Sequence, residues 1–249
     1  MKVYFHQDFY QVYAAEPAAD SGRMEAIVTK IQSDVEFVTP KPAREQDIAV
    51  VHTEQHIAWV KKQGLYEIAA LAAGAAIETA ISGLEEPCFG LIRPPGHHAS
   101  ADSCWGFCYF NNMAISLEVL KKNNRIRSAY ILDIDMHYGD GTENIMRDKD
   151  YITVHNIETN DRNLFMKEIE EAMEICKSDM IGISAGFDNH IEDWGGVLHT
   201  SDYFEIGCLV RKAAQRNKGG CFGLLEGGYN HNVLGQNVLA LIRGLSNNG

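Results

Sequence analysis

At 249 residues, with 45% hydrophobic and 22% charged side chains, the chain has the make-up of a globular protein able to bury one sizeable core. No apolar run reaches the length of a membrane span, and the N-terminal MKVYFHQDF lacks the basic and apolar regions of a signal peptide, so no membrane partner and a cytoplasmic location are expected. A formal charge of -12 argues against a nucleic-acid partner, whose phosphates demand clustered Lys and Arg, and favours the approach of cations.

In chain order, short β-branched or fully apolar runs fall at 2–5, 35–38, 48–51, 88–92, 129–134, 151–154, 180–184 and 221–225. Helical patterns lie between most of them, near 22–32, 54–63, 65–82, 110–123, 142–147, 162–176, 202–217 and 233–245, several preceded by Ser, Thr or Asp as caps. Continuous apolar strands alternating with helices predict an α/β fold: an open parallel sheet of about eight strands covered by helices on both faces. No repeat, low-complexity tract or Pro/Ser-rich linker breaks the pattern, so residues 1–249 read as a single domain. The six cysteines show no CxxC pair, which predicts reduced, mostly buried thiols.

Such sheets bind ligands beyond the carboxyl ends of their strands, and four strand ends here carry reactive side chains. The strand AYIL runs into Asp133-Ile134-Asp135-Met136-His137, with Asp140 three residues further on. Alternate residues of extended chain point the same way, so Asp133, Asp135 and His137 can converge, and buried together they would need a counter-charge. Strand-end aspartates often merely cap turns, but DxDxH with a further Asp is more specific, and carboxylate with imidazole suits Zn2+ or Fe2+. After the run at 180–184, Asp188 can supply a third ligand, with His190 as a rival expected nearer the rim. Asp135, His137 and Asp188 would leave a coordination position open, as a catalytic metal requires.

After the run at 88–92, RPPGHHA places His97 and His98 at another strand end. Asp133 and Asp140 can each accept a hydrogen bond from one of these imidazoles, and such a pair can move protons near neutral pH. After the run at 221–225, Glu226-Gly227-Gly228-Tyr229-Asn230 sets a phenol behind two glycines, where its hydroxyl can donate to an oxyanion.

RPPGHHA, GFCYFNN, DIDMHYGDGT, SAGFD and EGGYN, in this order, together with VHTEQHIAWV at 51–60, resemble the histone deacetylase and acetylpolyamine amidohydrolase superfamily. The resemblance implies the arginase-deacetylase fold and a zinc-dependent deacetylase of acetylated amines, with Asp135, His137 and Asp188 as metal ligands. It implies His98 with Asp140 as general base and acid, His97 with Asp133 as a companion pair, and Tyr229 as the donor that polarises the carbonyl. Gly106 and Phe107 would form the tunnel wall, Arg23 would line an internal acetate cavity, and a K+ ion would lie beside Asp133, Asp135 and His137. The expected substrate is a small cationic acetylated amine or an acetyl-lysine peptide.

Two features depart from the family pattern. After Asn156 the family has a long Gly/Pro-rich loop carrying a second tunnel aromatic, whereas here IETNDRN leads directly into a helix. The tunnel is then either open on one side or completed by another subunit, which keeps a homo-oligomer among the expectations. The segment Glu192-Asp193-Trp194-Gly195-Gly196 lacks the usual Asp-Pro, and Glu192 or Trp194 is a candidate to stand at the mouth and select substrates, with a rim residue of no such role as the equal alternative. Cys104 and Cys108 lie near the site, with packing as their expected role. A two-metal ureohydrolase is a rival reading, but it leaves the tandem histidines and Gly-Gly-Tyr unexplained; a non-catalytic sensor of acetylated cations is another.

Overall fold

The structure is a computed structural model and describes residues 1–247. Among these residues seven strands form one sheet: β1 (Lys2–Tyr4), β2 (Glu36–Val38), β3 (Cys88–Gly90), β4 (Ala129–Asp133), β5 (Ile152–Asn156), β6 (Met180–Ala185) and β7 (Gly220–Leu225). Their order is β2-β1-β3-β7-β6-β4-β5, and every pairing is parallel. Each residue of β4, β6 and β7 is buried, because helices cover both faces of these central strands, and their uninterrupted apolar sequences reflect that.

The helices are α1 (Arg23–Ile31), α2 (Glu45–Ile48), α3 (Glu54–Lys62), α4 (Tyr66–Gly83), α5 (Asn112–Lys122), α6 (Asp140–Met146), α7 (Arg162–Ile175), α8 (Thr200–Asn217) and α9 (His231–Leu245). They pack in two groups, α1 with α7, α8 and α9, and α2 with α3, α4, α5 and α6. Side-chain caps start several of them: Thr53 accepts from the His56 amide, Asn111 from Ala114, Asp161 from Asn163 and Leu164, and Asn230 from Asn232. The alanine-rich α4 is apolar nearly all round, and it is buried between β3, β7 and α5 accordingly.

The run 48–51, expected as an eighth strand, is the end of α2 and a following turn. An apolar run of four cannot be assigned by periodicity alone, and the Glu45-Gln46-Asp47 before it favours a helical turn with acids at its N-terminus. Ile48 is buried in a second small core with Ile57, Val60 and the flank of α4. The sheet therefore ends at β2, a short and largely exposed strand.

Candidate active site

The strands β3, β7, β6 and β4 are consecutive in the sheet, so the loops leaving their carboxyl ends meet over its centre. On the loop after β4, Asp133 accepts from the Asp135 amide at 3.1 Å and Asp135 Oδ1 accepts from the His137 amide at 2.9 Å. The aspartates do cap turns, as the plainer reading held, and the turns they cap point their remaining oxygens inward. From the loop after β6, Asp188 Oδ1 accepts from the Met136 amide at 3.0 Å, which ties the two loops together.

His137 Nδ1 lies 3.1 Å from Asp135 Oδ1 and 3.1 Å from Asp188 Oδ2. Asp188 is fully buried, and its Oδ2 makes no well-formed hydrogen bond, so the His137 ring 3.1 Å away is what faces this carboxylate oxygen. Bonds to Asp135 and Asp188 push the His137 imidazole up to about 10, the response of a group placed where the two carboxylates call for a positive charge. Burial, then the charge of Asp135, pushes Asp188 up to about 7. Burial works against charge on Asp135 too, but His97 and His137 hold its carboxyl below the ordinary range.

The backbone just after β7 closes the cluster from below. Gly227 donates its amide to Asp135 Oδ2 at 2.8 Å, and a Cβ on Gly227 would stand 2.6 Å from that oxygen and 2.7 Å from Asp188 Oδ2. Only glycine permits this approach. Glu226, fully buried, accepts from the amides of Gly96 and His97 at 2.7 and 3.2 Å and so fastens the histidine loop to β7.

His97 Nδ1 faces Asp133 Oδ2 at 3.1 Å, and His98 Nδ1 faces Asp140 Oδ1 at 2.8 Å. A carboxylate can only accept here, so Nδ1 of each ring carries the proton and Nε2 is turned to the other side. Burial opposes charge on His97, yet Asp135 and Asp133 outweigh it and raise this imidazole well above its usual value. Burial, then His97, pushes His98 down to about 4, which leaves it neutral and able to accept a proton at pH 7.

His97, His98, His137 and Gly227 border a cavity of about 320 Å³ together with Trp105, Gly106, Phe107, Trp194 and Tyr229. Burial raises the Tyr229 phenol, so it keeps its proton as a donor. Asp193 accepts from the amides of Tyr229 and Asn230, both at 2.8 Å, and the Tyr229 ring stacks on Trp194 at 4.1 Å between centroids. Arg23 lies beneath, 5.5 Å from the Tyr229 ring, bonded to the carbonyls of Gly228 and Glu226.

The structure thus brings Asp135, His137 and Asp188 into one cluster, with His97, His98, Gly106, Phe107 and Tyr229 around the same cavity. Of the two mouth candidates, Trp194 lines the cavity and Glu192 does not. His190, expected at the rim, is buried instead: its Nδ1 accepts from Glu192 and its Nε2 meets Thr200, outside the cluster. A second group of His97, Cys108 and Glu226 also draws its donors close, but burial keeps the Cys108 thiol protonated and the other two are held by Asp133 and by backbone amides. Sequence reasoning missed Trp105 and the anchoring role of Glu226. For Trp105 the available signal was a large aromatic directly before the glycine of the GFC segment.

The family model described as histone deacetylase domain matches the chain in two stretches, residues 18–165 and 157–245, whose junction falls at the short connection from β5 to α7. A "Probable deacetylase" of Methanothermobacter thermautotrophicus is 30% identical over 305 aligned positions, covering 98% of this chain and 90% of that protein. The alignment is longer than the chain, so the relative has residues that this chain lacks. A "Histone deacetylase-like amidohydrolase" of Pseudomonas aeruginosa is 27% identical, covering 93% of this chain and 79% of its own length. Among solved structures, the crystal structure of the HDA15 HD domain superposes with a TM-score of 0.85 at 20% identity, over 98% of this chain and 89% of its own; it shares the fold.

Proposed function

Because the chain belongs to the histone deacetylase family, we propose that it is a zinc-dependent deacetylase, hydrolysing the acetyl amide of a small cationic acetylated amine or of an acetyl-lysine peptide. The observation that carries this reading is the buried carboxylate–imidazole–carboxylate cluster, whose His137 lines a cavity that also presents His98 and Tyr229.

The residues fit such an ion. Zinc bonds of about 2.0–2.2 Å in tetrahedral arrangement set neighbouring ligand atoms roughly 3.3 Å apart. The His137 nitrogen already stands 3.1 Å from each carboxylate oxygen. When bound, the ion would act as a Lewis acid toward the amide carbonyl and increase the acidity of water. Ferrous iron suits the same donors. We place the K+ ion beside the Asp133–His137 turn, where the buried, unpartnered Ser184 hydroxyl, in register with Asp133, supports a polar ligand.

The chain's own groups then have distinct tasks. Neutral His98, oriented by Asp140, takes a proton from the attacking water at Nε2 as the carbon–oxygen bond forms, and returns it to the amine nitrogen as the carbon–nitrogen bond breaks. The Tyr229 hydroxyl donates to the carbonyl oxygen as it becomes negative. Phe107 and Trp194 flank the substrate stem, and the acidic chain with its aromatic mouth favours a cation near the entrance. The six free thiols support a reducing, cytoplasmic setting.

The test is acetate release from acetyl-lysine peptide and from acetylated polyamines by zinc-loaded protein. Release that a chelator abolishes and added zinc restores supports the reading. Binding of these amides without acetate release would make the protein a sensor instead.

A further inference from the structure

We propose that Trp105 is a positioning residue that clamps the His98–Asp140 pair, acting through its indole N–H and its ring face together; the inference rests on the amide-hydrolase reading of the site.

Trp105 is 55% exposed, yet both its polar and its apolar parts are engaged. Its Nε1 donates to both oxygens of the Asp140 carboxylate, at 3.1 and 2.9 Å. Oδ1 of that carboxylate is also the atom facing His98 Nδ1 at 2.8 Å. The indole ring lies over the His98 imidazole with centroids 3.8 Å apart, and the His97 ring is 4.0 Å from His98.

Asp140 needs this help, since its side chain is 39% exposed and could otherwise rotate toward water. With the indole bonded to both oxygens, the carboxylate keeps the rotamer that accepts from His98. With the ring packed on the imidazole, Nε2 stays aimed into the cavity.

The loop is shaped for this contact. Gly106 and Phe107 both hold left-handed backbone, φ 57° and 67°, and a Cβ on Gly106 would stand 2.3 Å from His98 Cδ2. Phe107 is not a residue that adopts this conformation freely, so packing of the surrounding loop maintains it. The two turns carry Trp105 back over His98 while Phe107 forms the cavity wall.

Trp105→Phe keeps the ring face and removes the donor; Trp105→Ala removes both. With fluorogenic acetyl-lysine coumarin as probe and zinc-loaded protein, Trp105→Phe is expected to lower kcat about tenfold with KM within about twofold, and Trp105→Ala to lower kcat further. An independent readout is the indole 15N–1H spectrum, in which the chain's 3 tryptophans give separate signals. The signal lost in Trp105→Phe should exchange slowly with water in the wild type and move in Asp140→Ala. A kcat for Trp105→Phe within about twofold of wild type, or an indole signal indifferent to Asp140→Ala, overturns the clamp. Wild-type protein that releases acetate neither from the probe nor from acetylated polyamines contradicts the hydrolase reading instead, and the indole signal still decides the clamp.

Discussion

His98 depends on neighbours from three loops: Asp140 for its tautomer, His97 and Trp105 for its orientation, and Glu226 for the backbone that carries it. Removing the base should therefore cost more than any one of its supports. His98→Ala is expected to lower kcat by about 10²–10⁴, the range for a general acid–base group, with zinc still bound. Tyr229→Phe should lower it by about 10²–10³ through loss of one oxyanion donor. Near-wild-type turnover in either variant contradicts the assigned roles. Asp135, His137, Asp188 and the two histidines were legible because each follows an apolar run that ends in the sheet's centre, where buried carboxylates are costly without a purpose. Trp105 was legible only as an aromatic before Gly106, not as a support for His98. Its role arises from a left-handed turn at Phe107, which residue type does not announce.

At the scale of elements, α8 shows how the loop bearing Asp188 is held to the core. Asp202, in the first turn of α8, accepts from the His199 amide at 2.8 Å and from Arg162 of α7 at 2.7 and 2.5 Å. Burial alone would raise its carboxyl, but the Arg162 bonds and the His199 amide prevail and hold it below its ordinary value of 3.8. A depressed carboxyl contributes stability above the unfolded value and loses it as pH falls through the folded one. Asp202→Asn should lower Tm at pH 7 by roughly 5 °C, from a loss of about 1–3 kcal/mol. The gap from wild type should shrink as the solution is acidified from about pH 5 toward pH 3. A gap that stays constant or widens contradicts the account of this contact. The strands of the sheet centre were readable from their apolar runs because both faces are covered, whereas 48–51 was not. Its apolar residues pack beneath α4 rather than joining a ladder, and composition does not distinguish those two forms of burial.

For the molecule as a whole, the Asp135–His137–Asp188 cluster joins loops from β4 and β6, with the chain after β7 beneath, so an ion bound there would tie distant parts of the chain to the folded state. A ligand that binds only the folded protein stabilises it by about 2.7 kcal/mol at a hundredfold excess over Kd. For a chain of this size that corresponds to a rise of roughly 5–10 °C in Tm on adding zinc. A chelator should reverse the rise, and Asp188→Ala should show none. The short passage from β5 to α7, Ile157 to Asp161, leaves the cavity without the second aromatic loop of the family pattern, and Trp194 stands at the mouth with its face on Tyr229. Trp194→Ala is expected to raise KM for acetyl-lysine coumarin by about threefold to thirtyfold, with kcat less affected, as for loss of one aromatic contact. A change confined to kcat would place Trp194 with the reacting groups instead.

The most direct measurement is zinc content per chain by plasma mass spectrometry after dialysis, for wild type and for Asp188→Ala of unchanged circular dichroism. About one zinc per wild-type chain and almost none in the variant is the predicted result. A folded wild type that retains no zinc, or a variant that keeps one ion per chain, would contradict the claim that Asp135, His137 and Asp188 together hold the metal.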